Sequence, residues 1–460
     1  MNLLEAFLEI LNDWQEVFAQ KRTTRRAIRQ ALLSLICLGR RTLSQIIWLA
    51  GNSIKHWSIE YFLHARSPWS PEKLFDPMVK RAVPYCRDNL VGVVMDDTSI
   101  KKTGKRIKQA FWSRDPMSPP FRLNMRLGVR FLQCAIVVPL HKTLQAAART
   151  IPIHFEEVSA VKKPRKGRKD YDEKMNEYRQ LSQIHNLPRR ALATLGKIRE
   201  KFDLAGAAAK IIVIIADGAF CNKRIFSYKV ERLHLLLRCR KDIKLCKRSD
   251  SPKRFYDKQT FTPEGVLKDP SFVWKQIRIF FGGKKRRLRF KEIENIYWQS
   301  GAKRRPLRLF VIEGVQYRVR KTGKQKRRDP GYLLTTLMQG NTKDLLQLYF
   351  DRWQIEVNHR EEKDTLHIGQ AQLHNYVAVP KQPALVVAAY SALLLASLKA
   401  YGPYRTDAYT QLPRWRRNAI RPSCLDLVNL LRKQTVENQQ IQHEIGGQIT
   451  FQKLATLAVA

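Results

Sequence analysis

The sequence predicts an α/β fold with helices at both ends of the chain and a β-rich insertion within the α/β core. Three observations lead there. Two apolar, β-branched runs, LVGVVMDDTSI (Leu90 to Ile100) and IIVIIADGAF (Ile211 to Phe220), turn abruptly acidic, as buried strands do when they deliver carboxylates to their carboxyl ends. Between them ALATLGKIREKFDLAGAAAK reads as a helix, the crossover that two parallel strands require. Residues 1–85 read as helices, whereas residues 241–330 read as short strands crowded with cations.

A chain of 460 residues exceeds the size at which a single core keeps growing. The expected division is a helical N-terminal DNA-binding domain over 1–85, a core in two parts over 86–240 and 331–400, the insertion over 241–330 and a C-terminal helical region over 401–460. The 85 Lys and Arg against 40 Asp and Glu give a formal charge of +45, while 44% of residues are hydrophobic, too many for a disordered polybasic tail. Such a charge on folded surface repels itself, and a polyanion relieves it; nucleic acid is the commonest. Ribosomal and packaging proteins share this balance, and a membrane surface is the weaker alternative. Seven cysteines, odd in number and without a C-x-x-C pair, read as reduced thiols of a cytoplasmic protein. His234, Cys239 and Cys246 match no standard zinc spacing. The N-terminus carries Glu5, Glu9, Asp13 and Glu16 among its apolar positions and does not read as a signal peptide. The longest apolar stretch, Ala384 to Ser397, falls short of the roughly 20 residues of a membrane span and is expected to be a buried helix. Neither a membrane nor a small-molecule substrate is expected.

Taken in order, LLEAFLEILNDWQEVF, RRAIRQALLSLICLG, RTLSQIIWLAG and HWSIEYFLHAR read as helices. The break at Gly51-Asn52 suits either a helix-turn-helix or a plain bundle. Beyond the first acidic strand, RLGVRFLQCAIVVPL (Arg126 to Leu140) supplies another, and KKPRKGRKD (Lys162 to Asp170) is a loop. The insertion holds 27 Lys and Arg against 9 Asp and Glu in 90 residues, a net +18, so its surface is expected to face DNA phosphates. Trp274, Tyr297, Trp298 and Tyr317 serve either core packing or base stacking there. GYLLTTLMQG reads as a strand, Asn341-Thr342 as a cap, NTKDLLQLYFDRWQIEVNHREEKDTL as a long helix, and PALVVAAYSALLLASLKAYG as a hydrophobic helix over the sheet.

On that long helix Tyr349, Arg352, Glu356 and Lys363 stand at offsets 0, 3, 7 and 14, within an arc of roughly 60° at about 100° per residue. Arg352 and Glu356 alone would be an i,i+4 ion pair on a solvated face; the acids at two strand ends point elsewhere. Y-x2-R-x3-E-x6-K, present as YFDRWQIEVNHREEK, resembles the Y-R-E-K signature of bacterial insertion-sequence transposases of the DDE class, and DDTSIKKTGK and IIADGAF resemble that family's first two acidic motifs in order. The 139 residues from Asp217 to Glu356 leave room for the β-rich insertion that many members carry. The resemblance covers roughly residues 90–400.

The resemblance implies an RNase H-like catalytic core of the cut-and-paste class, acting on double-stranded DNA, both element ends and target, as a homodimer assembled on that DNA. It implies two Mg²⁺ ions, with Mn²⁺ as the alternative, held by Asp96, Asp217 and Glu356. Independently, phosphoryl transfer between cations on both sides of phosphorus needs hard oxygen ligands of this kind. Asp96-Asp97-Thr98 and Asp97-Thr98-Ser99 both satisfy the family's first motif; the first-acid position favours Asp96 as ligand and leaves Asp97 a supporting role. Arg352 and Lys363 would hold phosphates of the bound end, with Tyr349 nearby. Lys101, Lys102 and Lys105 are either flanking phosphate contacts or solvated loop lysines. Glu361 and Glu362 diverge from the Glu356 stripe by more than about 100°.

Overall fold

The computed structural model describes residues 1–444 apart from 51–56, 87, 105, 116–117, 120, 141–147, 159–160, 168–169, 319–322 and 417–418. The break at Gly51-Asn52, read as part of either a helix-turn-helix or a plain bundle, and the last residues of the C-terminal region lie outside the described residues, as does Lys105.

The chain opens with helices α1 (Leu3–Asn12), α2 (Lys21–Ile36), α3 (Leu43–Leu49), α4 (Trp57–Ala65) and α5 (Asp76–Ala82). Asn2 and Glu5 form a capping box that starts α1, satisfying backbone donors the first turn would otherwise strand. Strands β1 (Leu90–Lys101), β2 (Phe111–Arg114), β3 (Met125–Pro139) and β4 (Ala148–Glu157) follow, then α6 (Tyr171–Ile184), α7 (Leu187–Leu204) and β5 (Ile211–Ala216). Next come α8 (Lys223–Ser227), β6 (Leu233–Arg238), β7 (Leu245–Arg248), β8 (Tyr256–Phe261), α9 (Pro263–Lys268), β9 (Lys275–Phe281), β10 (Lys284–Ile296), α10 (Gln299–Ala302), β11 (Leu307–Ile312), β12 (Gln316–Arg318), β13 (Gln325–Arg327) and β14 (Gly331–Thr335). The last part holds α11 (Thr342–Asp351), α12 (Trp353–Arg360), α13 (Ala378–Tyr401), α14 (Cys424–Glu437) and α15 (Gln439–Glu444).

One ten-stranded mixed sheet runs β2-β3-β1-β5-β6-β14-β11-β10-β9, with β4 also on β3. β1, β5 and β6 are parallel neighbours, buried on both faces as all-apolar parallel strands must be. Alternate residues feed two cores. Val94, Val213, Ile215 and Leu236 meet Leu345, Leu348 and Ile355 of α11 and α12. Val91, Val93, Ile212 and Ile214 belong to the larger core that includes Leu195 and Phe202 of α7. Gly92 lets α11 approach: a Cβ there would lie 2.7 Å from Leu348 Cδ2 and 3.1 Å from Ile215 Cδ1.

Two features differ from the sequence reading. Strands β9, β10 and β11 of the insertion continue the central sheet through β14, because β11, apolar except for Arg308, is buried on both faces; among the described residues the β7–β8 and β12–β13 hairpins stand outside it. The N-terminal helices share one continuous core with the sheet, α13 and α14. Gln434 accepts from the Leu4 N–H at 2.9 Å, and Arg432 donates to the Ile36 carbonyl at 2.6 Å. Strands β4 and β6 had no assignment from sequence. Helix α13 is long and apolar enough to cross a bilayer by composition, and most of it is buried in this fold.

The start of α11 is tied to the insertion strands. Arg308 of β11, itself buried, donates to the Met338 and Gly340 carbonyls at 3.3 and 3.2 Å and to Thr342 Oγ1 at 2.9 Å, and pairs with the buried Glu292 of β10. One turn along, Gln347 accepts from the Phe280 N–H at 2.7 Å and donates to its carbonyl at 2.9 Å, satisfying the unpaired edge of β9. Arg308→Met leaves the largely covered Glu292 carboxylate with only the Lys275 ammonium and the Thr342 hydroxyl beside it and should cost about 3–5 kcal/mol. Urea denaturation followed by circular dichroism checks this, and a loss under about 1 kcal/mol would mean that the pair behaves as a solvated one.

Candidate active site

The parallel register of β1 on β5 pairs Val94 with Ile215. Continuing it by two residues sets Asp96 beside Asp217, on strands about 4.8 Å apart. Both share strand parity with Val94 and Ile215, so both face the α11–α12 side. Asp217 caps the 3₁₀ turn Gly218–Phe220, where its Oδ1 accepts from the Ala219 N–H at 2.9 Å; that turn ends the strand and leaves the carboxylate at its tip. Asp97 has the opposite parity and is ion-paired with Arg130 of β3, Nε to Oδ2 2.6 Å.

Across from the acids, the expected long helix is α11 and α12 joined at Arg352, whose N–H is shared between the Leu348 and Tyr349 carbonyls at 3.2 Å each. Arg352 stands between two carboxylates: Nη2 is 3.2 Å from Glu356 Oε1 and Nη1 is 4.0 Å from Asp96 Oδ2. Tyr349 lies in the fields of Arg352, Arg238 and Asp217; its burial raises its pKa. Burial and the neighbouring Asp217 push Asp96 up to about 7 against the opposing pull of Arg352. Glu356 is raised by burial, with Asp217 adding and Arg352 opposing.

After Arg360 the helix widens into a π turn, Glu361–Thr365. Lys363 lies there, half-buried within the field of Asp96, its pKa lowered by burial and by Arg126. The wider turn sends Glu362 into the core, where Gln133, the β3 partner of Asp96, donates to it at 2.8 Å and burial pushes it up to about 8. Glu361 instead accepts from the Tyr390 hydroxyl. Neither joins the stripe of Glu356. Lys101 is exposed at the end of β1. Lys102 is buried and donates to the Ala371 carbonyl at 2.9 Å, so its ammonium is not presented to a phosphate in this conformation. In the insertion, Trp274 lies under Arg289 and Lys291, Tyr297 packs on Phe255 and Trp298 on Phe226. The side chain of Tyr317 lies outside the described residues.

Arg238 is a site residue that sequence reasoning missed. The register of β5 on β6 pairs Ala216 with Leu237, so Arg238 follows beside Asp217 and faces Tyr349. Its signal was present: LHLLLR is a third apolar run that turns charged at its last residue.

The donor set at this edge is all carboxylate oxygen, which fits hard divalent cations. Asp96 and Glu356 hold a guanidinium between them, and among the described residues no three candidate ligands are already gathered as a metal cluster. Burial and, after it, repulsion by Asp217 raise Asp96, and a bound cation would offset both.

Two acids at the carboxyl ends of parallel strands are thus faced by an acid on a helix of an α/β fold. The chain matches the DDE superfamily endonuclease family over residues 7–303 and belongs to that family. Its core is therefore RNase H-like, and the family acts on DNA with divalent metal ions, typically Mg²⁺. The matched segment contains Asp96, Asp97 and Asp217 and ends before α11. A comparison with curated proteins returns no match.

A carboxyl group held near 7 when folded binds its proton over a range in which the unfolded chain, near 3.9, has lost it. In metal-free protein the contribution of Asp96 to stability therefore falls as pH rises from about 4 to about 7 and is level above that. Asp96→Asn should remove this slope and stabilise the metal-free protein at pH 8 by on the order of 2–4 kcal/mol. Thermal unfolding in EDTA at pH 5 and pH 8 tests it; parallel pH dependences for the two proteins would show that Asp96 is solvated.

Proposed function

We propose that this chain is the transposase of a bacterial insertion sequence, cutting DNA at the element's ends and joining the freed 3′-hydroxyls to target DNA. The observation that carries the reading is the in-register pair Asp96 and Asp217 faced by a helix that bears Tyr349, Arg352 and Glu356 in the order and spacing of the Y-R-E-K signature.

Asp96, Asp217 and Glu356 would hold two Mg²⁺ ions, with Mn²⁺ able to substitute; bound there, the ions supply the charge that activates the attacking hydroxyl or water and stabilises the leaving oxygen. Asp97, held by Arg130, fixes the backbone that presents Asp96. Arg352, which offsets the acids in the free protein, turns to a backbone phosphate when DNA arrives, and Lys363 and Tyr349 hold the same strand. Lys101 contributes at the flank. The exposed cations of β9 and β10, among them Arg278 directly opposite Arg287, support phosphate binding by the insertion, since like charges facing across a ladder repel until an anion joins them. Two ends must be cut in one event, so the working unit is a homodimer assembled on DNA.

Asp217→Ala and Glu356→Ala should abolish Mg²⁺-dependent cleavage of a plasmid bearing the element's ends, with end binding largely kept, because most binding energy comes from phosphate contacts. Asp96→Ala should be as inactive, and Asp97→Ala only impaired. Near wild-type cutting by any of the first three would remove that acid from the site. Cleavage without joined products would favour a nuclease of the same fold, and binding without cleavage a non-catalytic derivative.

Arg352→Ala and Lys363→Ala should each weaken binding and reduce the slope of log affinity against log salt by about one unit per lost phosphate contact. Filter binding across a salt series measures this; an unchanged slope with full cleavage would return both residues to an ion-paired surface.

A further inference from the structure

Beyond the sheet's β2 edge, the β2–β3 ribbon carries large apolar side chains that stand exposed among the described residues: Trp112 is 60% exposed, Phe121 90%, Leu123 65% and Met125 49%. The ribbon itself is ordered by pairing. Trp112 faces Leu127 and Arg114 faces Met125 across it. Its end is closed by the Asp115 N–H on the Asn124 carbonyl at 2.8 Å and the Asn124 N–H on Ser118 Oγ at 3.1 Å. Arg114 and Arg122 are exposed among the apolar groups, and the nearby acid, Asp115, lies 3.8 Å from Arg126.

An apolar tip on a chain of charge +45 is poorly suited to a second copy, which the net charge repels. It suits duplex DNA. A two-stranded ribbon fits a groove, and proteins that kink DNA combine arginines with apolar wedges inserted between base steps. Position agrees: β3 carries Gln133 opposite Asp96, and Met125 lies eight residues before it, about 26 Å along the strand. A duplex lying over the acids would meet the tip about eight base pairs away at roughly 3.4 Å per pair.

We infer that the β2–β3 ribbon is a DNA-distorting arm whose tip, Phe121 and Leu123, wedges between base pairs about eight pairs from the acids without regard to sequence, while Arg114 and Arg122 hold the flanking phosphates. The inference rests on the reading that the chain binds duplex DNA.

The test uses the full chain and a set of mixed-sequence duplexes, each carrying one 2-aminopurine, whose fluorescence rises when it is unstacked. Wild-type protein should raise the fluorescence, and the Phe121→Ala, Leu123→Ala double variant should lose the rise while still retarding the duplex in a gel. Both side chains are solvent-exposed, so its thermal unfolding should match wild type. Arg114→Ala with Arg122→Ala should keep the rise at saturation and lower the salt slope. Binding with no rise for wild-type protein, or a rise that survives in the tip variant, overturns the wedge. A lower mass for the free tip variant by light scattering, with fluorescence unchanged, makes the arm a protein contact instead and equally overturns it. Failure of wild-type protein to retard any duplex would be a failure of the DNA-binding reading itself, which the gel separates from failure of the wedge.

Discussion

The parallel pairing of β1 with β5 is the constraint from which the rest of this site follows. Parallel strands need a crossover, and α7 supplies it on one face, leaving the other free for α11 and α12. Because the register pairs Val94 with Ile215, two acids that are far apart in the chain come to the same edge on the same face. A slip of one residue would turn one of them to the opposite face. The packing of Leu345, Leu348 and Ile355 on Val94, Val213 and Ile215 fixes that register and seats the glutamate helix in the same act.

Bringing carboxylates together in a partly desolvated cleft is unfavourable, and the fold meets the cost by local counter-charge. Arg352 spans Asp96 and Glu356, Arg238 stands beside Asp217, and Lys363 adds its field from the π turn. These cations serve the free protein as ballast for the acids. On the proposed reading the same groups would also meet the phosphodiester, so one set of residues would serve both tasks. Where an acid has no such partner, burial holds it near its neutral form, as for Glu362 against Gln133.

The insertion is joined to this site mechanically. Its strands extend the central sheet, Arg308 and Glu292 pin the residues before α11, and Gln347 clasps the β9 edge. A cationic surface outside the active site thereby shares a rigid frame with the helix that carries Glu356.

Much of this was legible in the sequence. Apolar runs that end in acids mark buried strands, because neighbouring residues alone set that pattern. The helical spacing of Tyr349, Arg352 and Glu356 is a property of 3.6 residues per turn, and the long apolar run of α13 could only be a core helix or a span. Pairing partners are not local, and there tertiary structure decided. Which of Asp96 and Asp97 faces the helix depends on strand parity relative to a core that only assembly defines. Lys102 was drawn inward because Ala371 offers it a carbonyl from 269 residues away. The π turn redirected Glu362, β11 joined the sheet because both its faces found cover, and Arg238 entered the site only when β6 lay beside β5. Each of these rests on a contact between segments distant in the chain, whose energy no stretch of sequence contains by itself.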